Sequence, residues 1–346
     1  MTKEDICRIT GITVNKLENG DETITLSGDK VDSLPDGLNI YGLILVNCPS
    51  LKSLPDDLRI NYLHIQDCPN LKSLPDNLIV QHLNLIDSDI DTIPKESLCW
   101  GSLVLVNCPN IKTIPQSCIG YAQALYIENC PNIVELPDIK YVHGQLELYS
   151  TNIKSLPKNL QIGDELCLVN SCIAEIPDGV RIGGDIYLYG NKVMKKLPDN
   201  LIVNGNLTIS DTLIEKLPEN LIVKGDLDIR ETLIKELPQN LIVGGNIKGN
   251  DYLSDFSQVR KDVPLDISER IWKDTDYIKI DGELYRKMEE KGDYIKIMNS
   301  FLDIYRLQFM SDEIHEGSIF YAVRDKDNPY SYHITSTLDK NKRVLL

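Results

Sequence analysis

From Ile24 to Ile229 the chain repeats one short pattern, an aliphatic residue, a variable residue and a second aliphatic. It occurs at Ile24 and Leu26, Leu43 and Leu45, Leu63 and Ile65, Leu83 and Leu85, Leu103 and Leu105, and Leu125 and Ile127. It continues at Leu146 and Leu148, Leu166 and Leu168, Ile186 and Leu188, Leu207 and Ile209, and Leu227 and Ile229. Alternation at period two puts both aliphatics on one side of a strand, so each pattern predicts a strand with one core face and one outward face. Between the strands an aliphatic residue followed by proline recurs at Pro35, Pro55, Pro75, Pro94, Pro115, Pro137, Pro157, Pro177, Pro198, Pro218 and Pro238. A self-similar period of about 20 residues predicts a solenoid, in which each turn buries its apolar edge only against its neighbours. The series fades at Ile247, where Gly249 stands in place of the second aliphatic.

The connections are patterned as well. Three residues beyond the second strand aliphatic come Cys48, Cys68, Ser88, Cys108, Cys130, Thr151, Ser171, Asn191, Thr212 and Thr232. Where a strand leaves the sheet its inward backbone groups lose partners, and a small side chain with a hydrogen-bonding group can restore them. Proline fixes φ and removes an N–H, so the convex return is expected to be extended or polyproline-like. The later turns reach the next strand at Gly163, Gly183, Gly205, Gly225 and Gly245, where a residue without Cβ permits positive φ.

The strand pattern, the Cys/Asn/Thr position and the signature in Leu197-Pro198-Asp199-Asn200-Leu201 resemble the short bacterial leucine-rich repeat found in secreted effectors and in many phage and gut-bacterial proteins. The resemblance covers roughly residues 20 to 250 and implies a parallel β-sheet on a concave face, with a convex side free of regular helix. It says little about activity, because such repeats serve many partners. Effectors of this class often carry a C-terminal ubiquitin-ligase domain with a catalytic cysteine. Here every cysteine lies at or before Cys172, so that activity is not expected.

Composition sets the boundaries. The only four phenylalanines, Phe256, Phe301, Phe309 and Phe320, lie beyond the repeats, and only Pro264 and Pro329 follow residue 250. The expected organisation is an N-terminal cap over 1–23, a solenoid of about eleven repeats over 24–250, and a small β-rich (α+β) cap or accessory domain over 251–346. In the last of these, Asp276–Ile280 and Asp293–Ile297 echo each other and read as antiparallel strands, as do 301–310, 318–323 and 331–337, with one helix at 267–272. In the first, Thr2 and Asp5 fit a helix start and 12–17 an edge strand.

The net charge of −16 falls mostly on residues 1–250, with 21 Lys/Arg against 33 Asp/Glu, while residues 251–346 hold 15 against 19. Such a surface repels nucleic-acid backbones and anionic lipid, so the expected partner is another protein with a basic surface, not nucleic acid or membrane. No apolar secretory or membrane-spanning stretch is present. Four of the nine cysteines alternate with Ser, Thr and Asn at one buried position, as isosteric small residues do, and a reduced, cytoplasmic protein of the producing or a targeted cell is expected.

If the strand aliphatics face inward, their neighbours form the open face. There Tyr62, His64, His82, Ile86 and Val104, with Ile44, Val46 and Val106, make an aromatic and apolar stretch. Tyr126, Tyr149, Tyr187 and Tyr189 follow, interleaved with Glu128, Glu147 and Glu165. Tyrosine edged by carboxylate suits an interface that receives Lys or Arg, and these residues are the expected partner-binding site. No catalytic residue, cofactor or metal is expected. His64 and His82 lack an assured third ligand, Asp226 and Asp228 lack a calcium-loop motif, and Cys167 with His143 lacks an orienting carboxylate. The expected function is therefore non-catalytic capture of a protein on the concave sheet, as in a microbial or phage effector that inhibits a host protein. Two other readings are a toxin or enzyme module in 251–346 targeted by the repeats, and an acidic mimic of nucleic acid.

Overall fold

The computed structural model describes residues 22–263 except 39, 57, 120, 121 and 254, together with six separate strands: Val14–Lys16, Tyr277–Ile280, Glu283–Lys287, Tyr294–Lys296, Tyr321–Arg324 and Tyr332–Thr335. The repeats form a parallel β-solenoid of about 11 turns with almost no helix. One sheet of 13 strands runs its length in strict chain order. Its first pair, Val14–Lys16 with Glu22–Ser27, is antiparallel, and the rest are parallel. The register never slips along the core row: Leu43, Leu63, Leu83, Leu103, Leu125, Leu146, Leu166, Ile186, Leu207, Leu227 and Ile247 pair in succession. A one-residue slip would turn every aliphatic to the outward face, which is why the pattern fixes the pairing.

A second inward row follows each strand exit: Leu51, Leu71, Ile90, Ile111, Ile133, Ile153, Ile173, Met194, Ile214 and Ile234, all fully buried. With the aliphatics before each proline, this row completes the core between the sheet and the return. Pro115, at φ −60° and ψ 140°, shows the extended geometry expected of the return, and it precedes a short 3-10 helix at Gln116–Cys118.

The return is not extended coil throughout. Tyr141–Val142, Gln161–Ile162 and Arg181–Ile182 form one parallel three-stranded sheet; Ile202–Val203, Ile222–Val223 and Ile242–Val243 form another. Val203, Val223 and Val243 are fully buried, and the long sheet already holds successive turns at strand spacing, so the backbone beside them pairs from turn to turn. In the earlier turns this segment runs straight into the main strand, giving the long strands Arg59–Gln66, Ile79–Ile86 and Leu98–Val106.

The glycines that separate the two strands serve a different purpose from the one expected. None of Gly163, Gly183, Gly205, Gly225 or Gly245 has positive φ. A Cβ would instead lie 1.9 Å from the His143 carbonyl oxygen at Gly163, 2.0 Å from the Gly163 oxygen at Gly183 and 1.8 Å from Asp185 Oδ1 at Gly205. These positions are glycine because the preceding turn comes too close for a side chain. Positive φ occurs at the strand exits, at Asn47, Asp67, Asp87, Asn107, Asn129 and Asn170, and after the prolines, at Asn77, Asn159, Asn200 and Asn220. Short polar side chains that bond their own backbone tolerate that region best. Ser150 and Glu231 occupy the same strand-exit turn without that preference.

All ten residues of the Cys/Ser/Thr/Asn row are buried. Cys48 Sγ donates to the Leu26 carbonyl at 3.4 Å, Cys108 Sγ to Leu85 at 3.4 Å and Cys130 Sγ to Leu105 at 3.6 Å. Asn191 Nδ2 donates to Leu168 at 2.5 Å, while Thr212 and Thr232 cap carbonyls in their own turns. Hydrogen bonding to the neighbouring thiols Cys68 and Cys130, together with burial, holds the Cys48 and Cys108 thiols well above the usual range. The same hydrogen bonds lower Cys68, to about 7, and Cys130, so it is burial that shields all four from reagent: native-state alkylation is expected to modify exposed Cys172 and spare Cys48, Cys68, Cys108 and Cys130 until denaturant is added. Mass spectrometry of the labelled protein checks this, and rung cysteines labelled as fast as Cys172 would contradict it.

The chain divides into two units, Met1–Pro264 and Leu265–Leu346, so residues 251–263 belong with the solenoid and not with the C-terminal part. They close its last turn. Val243 N–H donates to the Arg260 carbonyl at 3.0 Å, Arg260 N–H to Leu241 at 3.3 Å, and Leu253 and Val259 pack on the core. In the second unit Tyr277–Ile280, Glu283–Lys287 and Tyr294–Lys296 form an antiparallel sheet, and Tyr321–Arg324 pairs antiparallel with Tyr332–Thr335. The helices expected near residues 2–9 and 267–272, and the strand expected at 301–310, lie outside the described residues.

Candidate functional site

Because successive strands pair residue for residue, the outward side chains of the long sheet fall into three lanes. The first contains Tyr62, His82, Ser102, Ala124 and Gln145; Glu165 and Asp185 continue the sequence position. The middle lane runs Ile44, His64, Asn84, Val104, Tyr126, Glu147, Cys167, Tyr187, Thr208 and Asp228. The third contains Val46, Gln66, Ile86, Val106, Glu128, Tyr149 and Val169, with Tyr189 following. The structure thus places ten of the twelve residues of the expected partner-binding set on paired strands of one face; Glu165 stands just before its strand and Tyr189 in the turn after it. Most are half-buried, and Tyr189 is 49% exposed.

At the apolar end, the Tyr62 and His64 rings stack with centroids 6.4 Å apart and an 8° interplanar angle. Asn84 Nδ2 donates to Tyr62 Oη at 3.1 Å, and His82 Nδ1 lies 2.8 Å from Ser102 Oγ. Burial lowers the His82 pKa, so this imidazole stays neutral further into the acid range. His64 and His82 fall in different lanes of adjacent strands. Among the described residues no group of three His, Cys, Asp or Glu side chains is placed to hold a metal ion.

Further along, Tyr126, Tyr149 and Tyr187 are each tied to a carboxylate two residues away. Tyr126 Oη donates to Glu128 Oε2 at 2.5 Å, Tyr149 Oη to Glu147 Oε2 at 3.0 Å and Tyr187 Oη to Asp185 Oδ2 at 2.7 Å. The Tyr126 and Tyr149 rings lie 5.2 Å apart, tilted by 33°. Burial pushes Tyr126 and Tyr149 well above the usual phenol range, helped by Glu128 at Tyr126 and by Cys167 and Glu147 at Tyr149, and the Asp185 hydrogen bond pushes Tyr187 up to about 12. All three remain neutral donors at physiological pH.

The carboxylates divide into two kinds. Burial opposes ionisation of Asp185, but donation from Asn206 N–H, Tyr187 Oη and the Asn206 amide outweighs it and lowers its pKa. Asp185 heads a ladder up the coil: Asn206 Oδ1 accepts Asp226 N–H at 2.8 Å, and Asp226 Oδ1 accepts Asn246 N–H at 2.7 Å. Asp228 pairs with Arg230 at 2.6 Å. Asp226 and Asp228 are thus engaged within the fold. Glu165 differs, because burial and the charges of Glu147, Asp185 and Asp164 raise its pKa.

A raised carboxyl pKa means that ionisation works against the folded state. Its favourable contribution is complete below the ordinary carboxyl pKa of about 4.3 and is lost as pH rises through the raised value. Glu165→Gln is therefore expected to raise the melting temperature slightly at pH 7, with the gain shrinking as pH falls toward about 4. Thermal melts across that range check it; a lower melting temperature at pH 7 would show that Glu165 is structurally required.

Cys167 lies on the outward lane yet is only 3% exposed, and its Sγ donates to Tyr149 Oη at 3.1 Å. Burial pushes its thiol up to about 11, the opposite of an activated nucleophile. His143 stacks on Tyr141 of the return sheet with centroids 6.2 Å apart. Sequence reasoning missed the tyrosine–carboxylate ties and the Asp185–Asn206–Asp226–Asn246 ladder. The one available signal was the recurring Asp or Asn directly after or near each strand-entry glycine. Compared with known proteins, the chain matches no family model and no curated protein.

Proposed function

We propose that this chain is a non-catalytic binding protein of the leucine-rich-repeat class, capturing a partner protein on the outward face of its long sheet. One observation carries the reading. A contiguous face keeps tyrosines and aliphatics half-buried in the solvent boundary, and its Glu165 is destabilised by burial and by its neighbours' charges. Isolated stability would favour replacing that glutamate, whereas a basic partner would neutralise it. Aromatic residues at the centre of such a face are the usual anchors of protein interfaces. A nucleic-acid or anionic-lipid partner is disfavoured by the same carboxylates. Replacing Tyr126, Tyr149 and Tyr187 together by alanine tests the reading. Capture of the partner is expected to be lost while the melting transition is retained, and a variant that still captures it normally would sink the proposal.

A further inference from the structure

The face changes character along the coil. On the strands from Gly42–Val46 to Leu98–Val106 five of its twelve outward residues are aliphatic, Ile44, Val46, Ile86, Val104 and Val106, all half-buried and interspersed with Tyr62, His64 and His82. Within that stretch His64 Nδ1 and Asn84 Oδ1, paired in register on adjacent strands, are buried and have no hydrogen-bond partner. Both atoms are closed to solvent, so the cost of leaving them unpaired lies beneath the patch and offers an occupant no contact point. Over the next strands Glu128, Glu147 and Glu165 shift one lane per strand, making a diagonal of carboxylates across the sheet. Tyrosine bonds to Oε2 of Glu128 and of Glu147 fix those two carboxylates in place, with Oε1 as a further acceptor. The tilted Tyr126 and Tyr149 rings offer π faces on which a guanidinium can stack.

The dimensions narrow the choice of occupant. Eight strands, from Gly42–Val46 to Ile186–Tyr187, span roughly 34 Å at about 4.8 Å each, and three outward side chains occupy about 13 Å along a strand. Such a strip is roughly two and a half times as long as it is wide. An extended chain matches a long narrow strip and needs about ten residues to cross it at about 3.3 Å per residue.

Building on the capture reading above, we infer that the occupant is a single extended segment laid across the strands. It is aliphatic where it covers Ile44 to Val106 and bears lysine or arginine where it covers Tyr126 to Tyr187. The chemistry of the two ends sets its polarity: apolar burial holds one end, while carboxylates steer and hold the other.

The test is selection of a random twelve-residue peptide display library on the immobilised full-length chain. Enriched peptides are expected to carry aliphatic residues toward one end and Lys or Arg toward the other. Retention should fall at least tenfold on a Glu147→Gln/Glu165→Gln variant, which should also abolish its salt dependence, and at least tenfold on Val104→Asp at every salt concentration. Ile86→Asp serves in place of Val104→Asp if the latter fails to fold by circular dichroism. No enrichment, enriched peptides without that polarity, or retention indifferent to both substitutions would overturn the inference. Tyrosine-dependent capture of a folded protein alongside such a failure would leave the capture reading standing.

Discussion

Alanine at Gly183 is expected to destabilise the solenoid by about 3 kcal/mol or more. The added Cβ would stand 2.0 Å from the Gly163 carbonyl oxygen, a backbone atom that cannot swing aside as a flexible side chain would. Making room means parting two turns that are joined there by Gly183 N–H to the Ile162 carbonyl at 2.8 Å and Gly184 N–H to Asp164 at 2.7 Å. For a unit of this size about 3 kcal/mol corresponds to a fall of roughly 6–12 °C in melting temperature. Gly37 provides the control. Its φ is +68° and a Cβ there would meet nothing within 4 Å, so alanine should cost only the left-handed conformation, about 1 kcal/mol. Urea and thermal melts of the two variants decide the matter. Equal, small losses would mean that the turns are not so closely apposed at Gly183.

Most of the solenoid was legible because its constraints are local and repeated. Leu63 and Ile65 announce a strand with one buried face, and the ten similar pairs around them leave only one way to stack. The Cys48 to Thr232 row was legible for the same reason, since a site tolerating Cys, Ser, Thr and Asn is small and polar, although Thr151 Oγ1 is buried there without a partner. What was not legible depends on distance between turns. The closeness of Gly205 to Asp185 comes from an Asx side chain bonding the next turn's Asn206 N–H, which no single repeat encodes. The short return strands were hidden in a similar way, because Ile202-Val203 becomes a strand only when Ile222-Val223 lies beside it.

The face itself could be read, but its internal bonding could not. Period two places Tyr126 and Glu128 on the same side of their strand, yet says nothing about whether the phenol bonds its own neighbour or awaits a partner. In the structure it bonds Glu128, so the ring and not the hydroxyl is the element presented to a partner. The closing contacts of the solenoid could not be read, because the proline repeat stops at Pro238, whereas closure relies on Leu253, Val259 and backbone bonds around Arg260, which carry no repeat signature.

The second large effect concerns capture. Tyr126, Tyr149 and Tyr187 sit on three strands at the centre of the tyrosine–carboxylate zone, behind which Leu125, Leu146 and Ile186 stay fully buried. Tyrosine contributes a large contact area with few rotors, and an anchor at an interface centre typically costs about 2 kcal/mol or more when truncated. Three such losses are not additive, but two alone amount to about 4 kcal/mol, nearly a thousandfold in affinity at about 1.4 kcal/mol per decade. Removing the rings leaves the inward rows untouched, so folding should survive.

The most direct measurement is the dissociation constant of the triple-alanine protein for the partner that the wild-type chain recovers from its own cells, read alongside its melting curve. The account predicts at least a hundredfold weaker binding with a melting transition like that of the wild type. Unchanged affinity in a folded triple-alanine protein, with binding abolished instead by substitutions beyond Pro264, would contradict it and move the site to the second unit.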